Sequence, residues 1–598
     1  MKKVYVVLLG AVVVAAVAAP FVKNRLDDVR VVLPTFERPA NVVMLDQNWT
    51  NEQRDQFHHT PQGTRLLPAD WFMALEQPCL SPFGCGRFSD PAYLSRFGFI
   101  PSATSELNPH GLPIGFAIDK DTVDPIAEPG GPVLGLTCAA CHTGELHYGD
   151  YALQIEGAPG MIEVAAFQKA LGLALAFNAT FPLSLTRYGR FERAVLGPDA
   201  TDEQRATLER RLDALVASAR EQLEVTGERH IYDNVAGFMR TDALARIGNQ
   251  VFAADAQIAD NYSPANAPVR YPQIWNASWF NWVQYNSSIA DPLARNIGEA
   301  LGVRAVLKLT GPNAGQFENS VNIRGLRTLE DLLASPGPLQ GLASPKWPSQ
   351  FPPLDAQKIA AGEVLYRNHC QGCHLAPLPE IRADLDQMKT DPAYEPKYWW
   401  RGSNSNWYIK VTDIPIDEIG TDPHQATAFK ERTADSGALG KGMVSADAGL
   451  RLVTQGIAER FYTQEKIAPE ERSAWSGGRD PRDPTIRAEL LYKARPLNGI
   501  WAAAPYLHNG SVPTLEALLS PDDDARPAQF WMGSKVFDPV QVGYAGTKID
   551  GATLFDTSTP GNANTGHRFK DGPKGKGIIG PALSAEERAQ IIEYLKSL

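Results

Sequence analysis

Two pentapeptides carry the chemistry of this chain: Cys138-Ala-Ala-Cys141-His142 and Cys370-Gln-Gly-Cys373-His374. Thiols three residues apart on a helical turn share one face, so both can add to the two vinyl groups of one porphyrin. The histidine that follows then presents its imidazole to the iron as proximal ligand. Cys-x-x-Cys-His is the attachment sequence of c-type haem. A zinc ribbon also uses paired cysteines, but its pairs lie close along the chain, whereas these begin at Cys138 and Cys370. A thioredoxin-like redox pair has no use for the adjacent histidine, which here occurs twice. The motifs predict two covalently bound haem c groups on Cys138, Cys141, Cys370 and Cys373, with His142 and His374 on the irons.

These motifs need elements to hold them. Residues 354–370 read as a helix running into the second motif, with Ile359, Ala360, Val364 and Leu365 at helical spacing. The chain ends in the same manner, Ser584-Ala-Glu-Glu capping a helix that runs to Leu595. Upstream, residues 161–175 and 201–225 have helical periodicity, and Leu208, Leu212 and Leu215 share one face of the second stretch. Residues 335–353 are rich in proline and lack a helical pattern, which marks a domain boundary. Strand signals are weak throughout. The expected architecture is mainly α, two cytochrome c-like haem domains with long loops and little β-structure. Its expected parts are a signal or membrane anchor at 1–26, a haem domain at 27–334, a linker at 335–353 and a cytochrome c-like domain at 354–598.

The 598 residues, 43% of them hydrophobic, suffice for two or three domains with real cores. A net charge of −11 argues against nucleic acid as a partner and suits a basic small cytochrome. Four of the six cysteines belong to the motifs. The other two, Cys79 and Cys85, flank a short loop with Pro82 and Gly84, so a local disulfide is expected, with two buried free thiols as the alternative. Lys2 and Lys3 precede an apolar run at 4–22, close to the ~20 residues that span a bilayer. Ala19 is followed by Pro20, a poor residue after a cleavage site. The expectation is therefore an uncleaved inner-membrane anchor with its lysines inside; cleavage elsewhere would leave a soluble periplasmic protein. Haem c attachment and disulfide formation both point to the periplasm.

Two further stretches bring a family resemblance. Arg270-Tyr-Pro-Gln-Ile-Trp-Asn-Ala through Val283-Gln-Tyr-Asn resembles the segment between the haems of bacterial dihaem cytochrome c peroxidases. Asn498-Gly-Ile-Trp-Ala-Ala-Ala-Pro-Tyr-Leu-His-Asn-Gly-Ser-Val-Pro-Thr-Leu resembles their stretch around the edge of the second haem. The run Asn-His-Cys-Gln-Gly-Cys-His and the ending Gly561-Asn-Ala-Asn-Thr-Gly-His-Arg-Phe look closest to the rubber oxygenase (RoxA-like) branch of that superfamily, which also holds MauG. The resemblance implies two haem domains facing each other, one haem reacting with hydrogen peroxide or O2 and the other carrying electrons. In the rubber-cleaving branch the N-terminal haem keeps an open position.

Within that frame individual residues acquire roles. His567, in the branch's ending, is the first candidate for the sixth ligand of the second haem, and His508 is the alternative, as axial ligand or haem-edge residue. The first haem has no evident sixth ligand. Tyr285 stands where many relatives carry a tryptophan between the haems, and is an electron-relay candidate. Glu299 could move a proton between peroxide oxygens, whereas Leu301 would suit an apolar substrate. Arg495 is a candidate propionate partner. The expected function is a periplasmic, peroxidase-like dihaem oxidoreductase that takes electrons from a small redox protein such as a cytochrome c. The alternatives are a RoxA-like dioxygenase cleaving an apolar alkene with O2, and a dihaem electron carrier without catalysis.

Overall fold

Thr137 is where a strand becomes a helix. In the computed structural model its hydroxyl accepts from the Ala139 N–H and caps the helix Cys138–His142, just after the strand Val133–Leu136. Thr143 returns the chain to extended backbone, and the strands Thr143–Tyr148 and Tyr151–Glu156 pair antiparallel through a two-residue turn at Gly149. Gly149 has φ +54°, the positive φ that such tight hairpin turns require. Asn41–Met44 adds in parallel to the outer side of this hairpin, and Val133–Leu136 joins a second small sheet with Leu67–Pro68 and Phe116–Asp119. The first motif is thus a single helical turn wedged between two three-stranded sheets. The structure describes residues 33–35, 37–79, 81, 83–120, 131–180, 184–402, 405–476 and 485–598. The expected anchor lies outside them.

This arrangement corrects the expected fold class. Of the described residues 40% are helix and 15% strand, a mixed α/β protein with many small sheets, not mainly α with little β-structure. The strands run from two to six residues, too short for period-two alternation to emerge from the sequence. Several are only two residues long, and some pair with segments far away in sequence, as Thr412–Pro415 does with Leu491–Ala494.

The helices follow their local signals more closely. Asp202–Glu228 begins at a Thr201/Gln204 capping box and buries Leu208 and Leu212. Ala356–His369 is capped by Asp355 and leads into the second motif helix, Gln371–His374. It crosses the last helix, Ala585–Ser597, at Gly362, where a Cβ would stand 2.0 Å from the Gln590 carbonyl oxygen. The absence of a side chain lets the two backbones touch. One turn on, the rings of Tyr366 and Tyr594 meet at 5.3 Å, and the Tyr366 hydroxyl donates to Leu375 O just beyond the motif.

Two large cores organise the molecule, and each draws on both sides of residues 335–353. One runs from Leu33 through the Phe88–Phe97–Phe167 cluster to Trp275, takes in Leu342, Phe351, Tyr366 and Cys370, and continues from Ile500 to Leu595. The other joins Leu244–Leu326 to Ala376–Ala488. Each fully buried large side chain contributes about 1.5–3 kcal/mol, so the C-terminal stretch is as necessary to the first core as the N-terminal one.

Behind the first motif sits a buried carboxylate. Glu156 accepts from Arg54 at 3.1 Å, Gln154 at 3.0 Å and the Thr143 hydroxyl at 3.1 Å, and meets His58 Nε2 at 2.9 Å. It ties the helix Asn51–His59 to the hairpin that follows His142. Burial pushes its carboxyl up, but His58, Gln154 and Arg54 overturn that and bring it from 4.5 to about 2. A carboxyl lowered by folding stabilises above its unfolded value and loses that contribution as pH falls through the folded one. We therefore expect Glu156→Gln to cost about 3 kcal/mol at pH 7, and the penalty to shrink between pH 4.5 and 2. Denaturant unfolding across that range measures it; a penalty unchanged down to pH 3 would refute the linkage.

Candidate haem-binding centres

His142 closes its five-residue helix and enters a strand, so its ring direction is set by what its free nitrogen finds. Nδ1 lies 2.8 Å from Pro272 O, which makes it the protonated nitrogen and leaves Nε2 to bind a metal. Burial pushes the imidazole down to about 4, so it is neutral at pH 7, as a ligand must be. The thiols of Cys138 and Cys141 are pushed up to about 12 by burial. Surroundings that disfavour a thiolate suit an uncharged thioether. Gln62 donates to Cys138 Sγ at 2.9 Å, and the Tyr271 ring lies 6.4 Å from that of His142.

The second centre repeats the device. His374 Nδ1 lies 2.9 Å from Arg495 O, again freeing Nε2. Cys370 is buried and Cys373 exposed. The ring of His567 lies edge-on to that of His374, the centroids 6.2 Å apart and the planes inclined at 62°. An imidazole nitrogen sits about 2 Å from a first-row metal, so two imidazoles across one iron have centroids roughly 6 Å apart. His567 is held at φ +46°, an uncommon conformation for a side-chain-bearing residue. Its N–H donates to Ile419 O at 3.0 Å and its carbonyl accepts from Arg526 at 2.9 Å. Burial pushes its ring down to about 3, and Nδ1 has no hydrogen-bond partner. His508 lies elsewhere: buried, stacked on Tyr492 at 4.2 Å and 6.1 Å from Tyr285.

Between the centres runs the segment 270–286. The Arg270 guanidinium lies 5.7 Å and Lys493 Nζ 6.0 Å from the Tyr285 ring centroid, burial pushing that amine well below the ordinary lysine range, and the Tyr285 hydroxyl is unpartnered. Burial pushes its phenol up, against the opposing pull of Arg270 and Arg495. Next to it, Gln284 donates to Glu299 at 3.3 Å. Glu299 lies on the helix Pro292–Gly302, and its charge is felt by both Cys138 and Cys141, which puts it on the side of the first centre. Leu301, on the same helix, is fully buried in the second core. Arg495 donates through Nη1 to Gln273 O at 2.5 Å and through Nη2 to Trp275 O at 2.9 Å; its Nε is unpartnered. Cys79 and Cys85 are joined as a disulfide, with Arg187 donating to both sulfurs.

The residues fit haem c at both motifs. His142 and His374 each keep Nε2 free, and His142, His374 and His567 are only partly covered. The two carbonyl acceptors, Pro272 and Arg495, escaped sequence reasoning because a main-chain oxygen has no side-chain signature. The one available signal was that both lie in or beside stretches singled out by resemblance.

Replacing His567 by alanine is expected to convert the haem on His374 from low-spin to high-spin, with haem still covalently bound, as read by electron paramagnetic resonance and the pyridine haemochrome. The same conversion produced by His508→Ala instead would assign the ligand to His508.

A model of the family described as RoxA-like, cytochrome c-like matches residues 491–532, the stretch that contains Arg495 and His508. Over 616 aligned residues the chain is 41% identical to the uncharacterized protein y4iJ of Sinorhizobium fredii (strain NBRC 101917 / NGR234), covering 99% of this chain and 98% of that protein. It is 26% identical over 346 residues to the uncharacterized protein y4iM of the same strain, covering 54% of this chain and 63% of that protein. The cytochrome c-like domain implies covalently bound haem c. By identity sustained over nearly its whole length, the chain belongs to the family of y4iJ, and at 491–532 it has a RoxA-like, cytochrome c-like domain.

Proposed function

We propose that this protein is a periplasmic dihaem c-type oxidoreductase, tethered to the inner membrane by residues 4–22, that reduces hydrogen peroxide at the His142 centre with electrons entering through the His374 centre. When bound, haem c supplies an iron that exchanges single electrons and, where a coordination position is open, takes a small oxygen species. The observation that carries the reading is Glu299. Peroxide reduction consumes two electrons and two protons and yields two waters, so it needs a group that moves a proton between the two oxygens. Burial raises the Glu299 carboxyl, Arg295 opposes that rise and Glu330 supports it. Arg295 is ion-paired with Glu330, which leaves less of its charge to ionise Glu299. A carboxyl so placed keeps a proton closer to neutral pH than an exposed one, and Gln284 orients it.

On this reading His374 and His567 would hold the second haem between them, and a haem so held would supply electron transfer rather than bind a small oxygen species. The acidic surface, with net charge −11, favours a basic cytochrome c as donor. A second reading, oxygenative cleavage of an apolar alkene, is favoured by the RoxA-like match at 491–532.

Two assays separate them: reduced cytochrome c with hydrogen peroxide, and polyisoprene with O2 and no reductant. We expect peroxide-dependent cytochrome oxidation, reduced roughly 10²-fold or more by Glu299→Gln. Oxygen uptake with carbonyl products in the second assay and silence in the first would establish the alkene reading. Silence in both, with two six-coordinate low-spin haems in each oxidation state, would leave an electron carrier.

A further inference from the structure

We infer that Arg495 is a positioning residue that couples the two proximal histidines, so that the hydrogen bond on one imidazole depends on a side chain anchored at the other. This rests on the proposed reading that both motifs carry haem. Each residue of the link is in place. His142 is tied twice to the segment around Pro272. Its Nδ1 donates to Pro272 O, and its own carbonyl accepts from Gly157 N at 2.8 Å, while Gly157 O accepts from Ile274 N at 2.9 Å. Gly157 has φ +75°, and a Cβ there would stand 2.7 Å from a Leu342 methyl and 3.2 Å from Ile274 Cγ1, so only glycine allows this approach.

Arg495 then grips that same segment from the other centre. Its carbonyl holds His374 Nδ1, while its guanidinium fork closes on Gln273 O and Trp275 O, the carbonyls of the residues around Ile274. The fork lies over the Phe280 ring at 4.9 Å. A second contact joins the same two segments, Trp275 Nε1 donating to Asn498 O at 2.9 Å. One residue thus places its main chain against one imidazole and its side chain against the strap that supports the other. A desolvated guanidinium is costly to bury, and here it meets two carbonyl oxygens with no carboxylate hydrogen-bonded to it. Lysine carries the charge but lacks the planar fork that spans two carbonyls.

The consequence is electronic as well as mechanical. The hydrogen bond from a ligating imidazole sets how strongly that imidazole donates to its metal. Loosening the strap lengthens the His142–Pro272 bond, weakens donation and favours the reduced iron. A residue that served only as glue within the second centre would leave the first unaffected.

The full-length haem-loaded protein tests this with Arg495→Lys and Arg495→Gln. The readouts are the pyridine haemochrome, electron paramagnetic resonance and spectroelectrochemical titration, with His567→Ala identifying the signal of the His374 haem by its change of spin. We expect two haems per chain to persist and the midpoint potential of the haem on His142 to shift upward in both variants. If either variant fails to retain haem, Phe280→Leu, which removes the ring beneath the fork, is expected to give a smaller shift of the same sign. Two retained haems with a shift confined to the His374 haem, or with none at either, would overturn the inference. Fewer than two haems in the unaltered protein would instead remove the dihaem reading on which it rests.

Discussion

Two main-chain oxygens, those of Pro272 and Arg495, accept the Nδ1 protons of His142 and His374. That acceptance decides the tautomer of each ring, and the tautomer decides which nitrogen is free for a metal. Backbone acceptors are rigid where carboxylate partners are mobile, so the direction of each imidazole is inherited from the strap at 270–275 and from the strand Leu491–Ala494. Much of the surrounding structure serves to hold those two pieces of backbone still. Arg270 bonds Tyr271 O, Gln273 Oε1 and Leu507 O, and Arg240 bonds Asn509 O and Asn562.

Arginines bonded to carbonyls recur throughout the centre of the molecule. Arg240, Arg432, Arg495 and Arg526 are each pushed down by burial, to between about 9 and about 10. They remain charged at neutral pH and bring a positive potential to the interior of a chain whose net charge is −11. Tyr285 sits where the Arg270 and Arg495 guanidiniums converge. A positive field opposes the loss of an electron from a ring but favours the loss of its proton. A tyrosine, which gives up its phenolic proton when it is oxidised, responds to both.

What was legible in the sequence was local. The Cys-x-x-Cys-His runs, the helical period after Thr201, the cap at Ser584 and the helix before Cys370 are fixed by neighbours a few residues away, and each appears within a few residues of where its signal lies. The strands were illegible because their pairing is decided by segments far apart in sequence, as when His147 bridges to Val536. The site divides along the same line. The motif residues announce themselves, and the ending around Gly561–Phe569 points to His567 by resemblance, but its edge-on placement beside His374 depends on a left-handed backbone and on contacts to Ile419 and Arg526 that no pattern encodes. The grip of Arg495 on Gln273 and Trp275 is likewise a property of two distant segments meeting.

The interleaving of the two cores has a bearing on biogenesis. A chain synthesised from its N-terminus exposes Cys138 and Cys141 long before residues 500–595 exist to complete the core around them. Until then the first motif lies in an unfinished structure, open to whatever enzyme modifies its thiols. Docking the final helix against Gly362 brings the last part of that core together. The fold thereby orders its own assembly: the cysteines that need outside access precede the segment that withdraws it, and neither half of the chain can seal its centre alone.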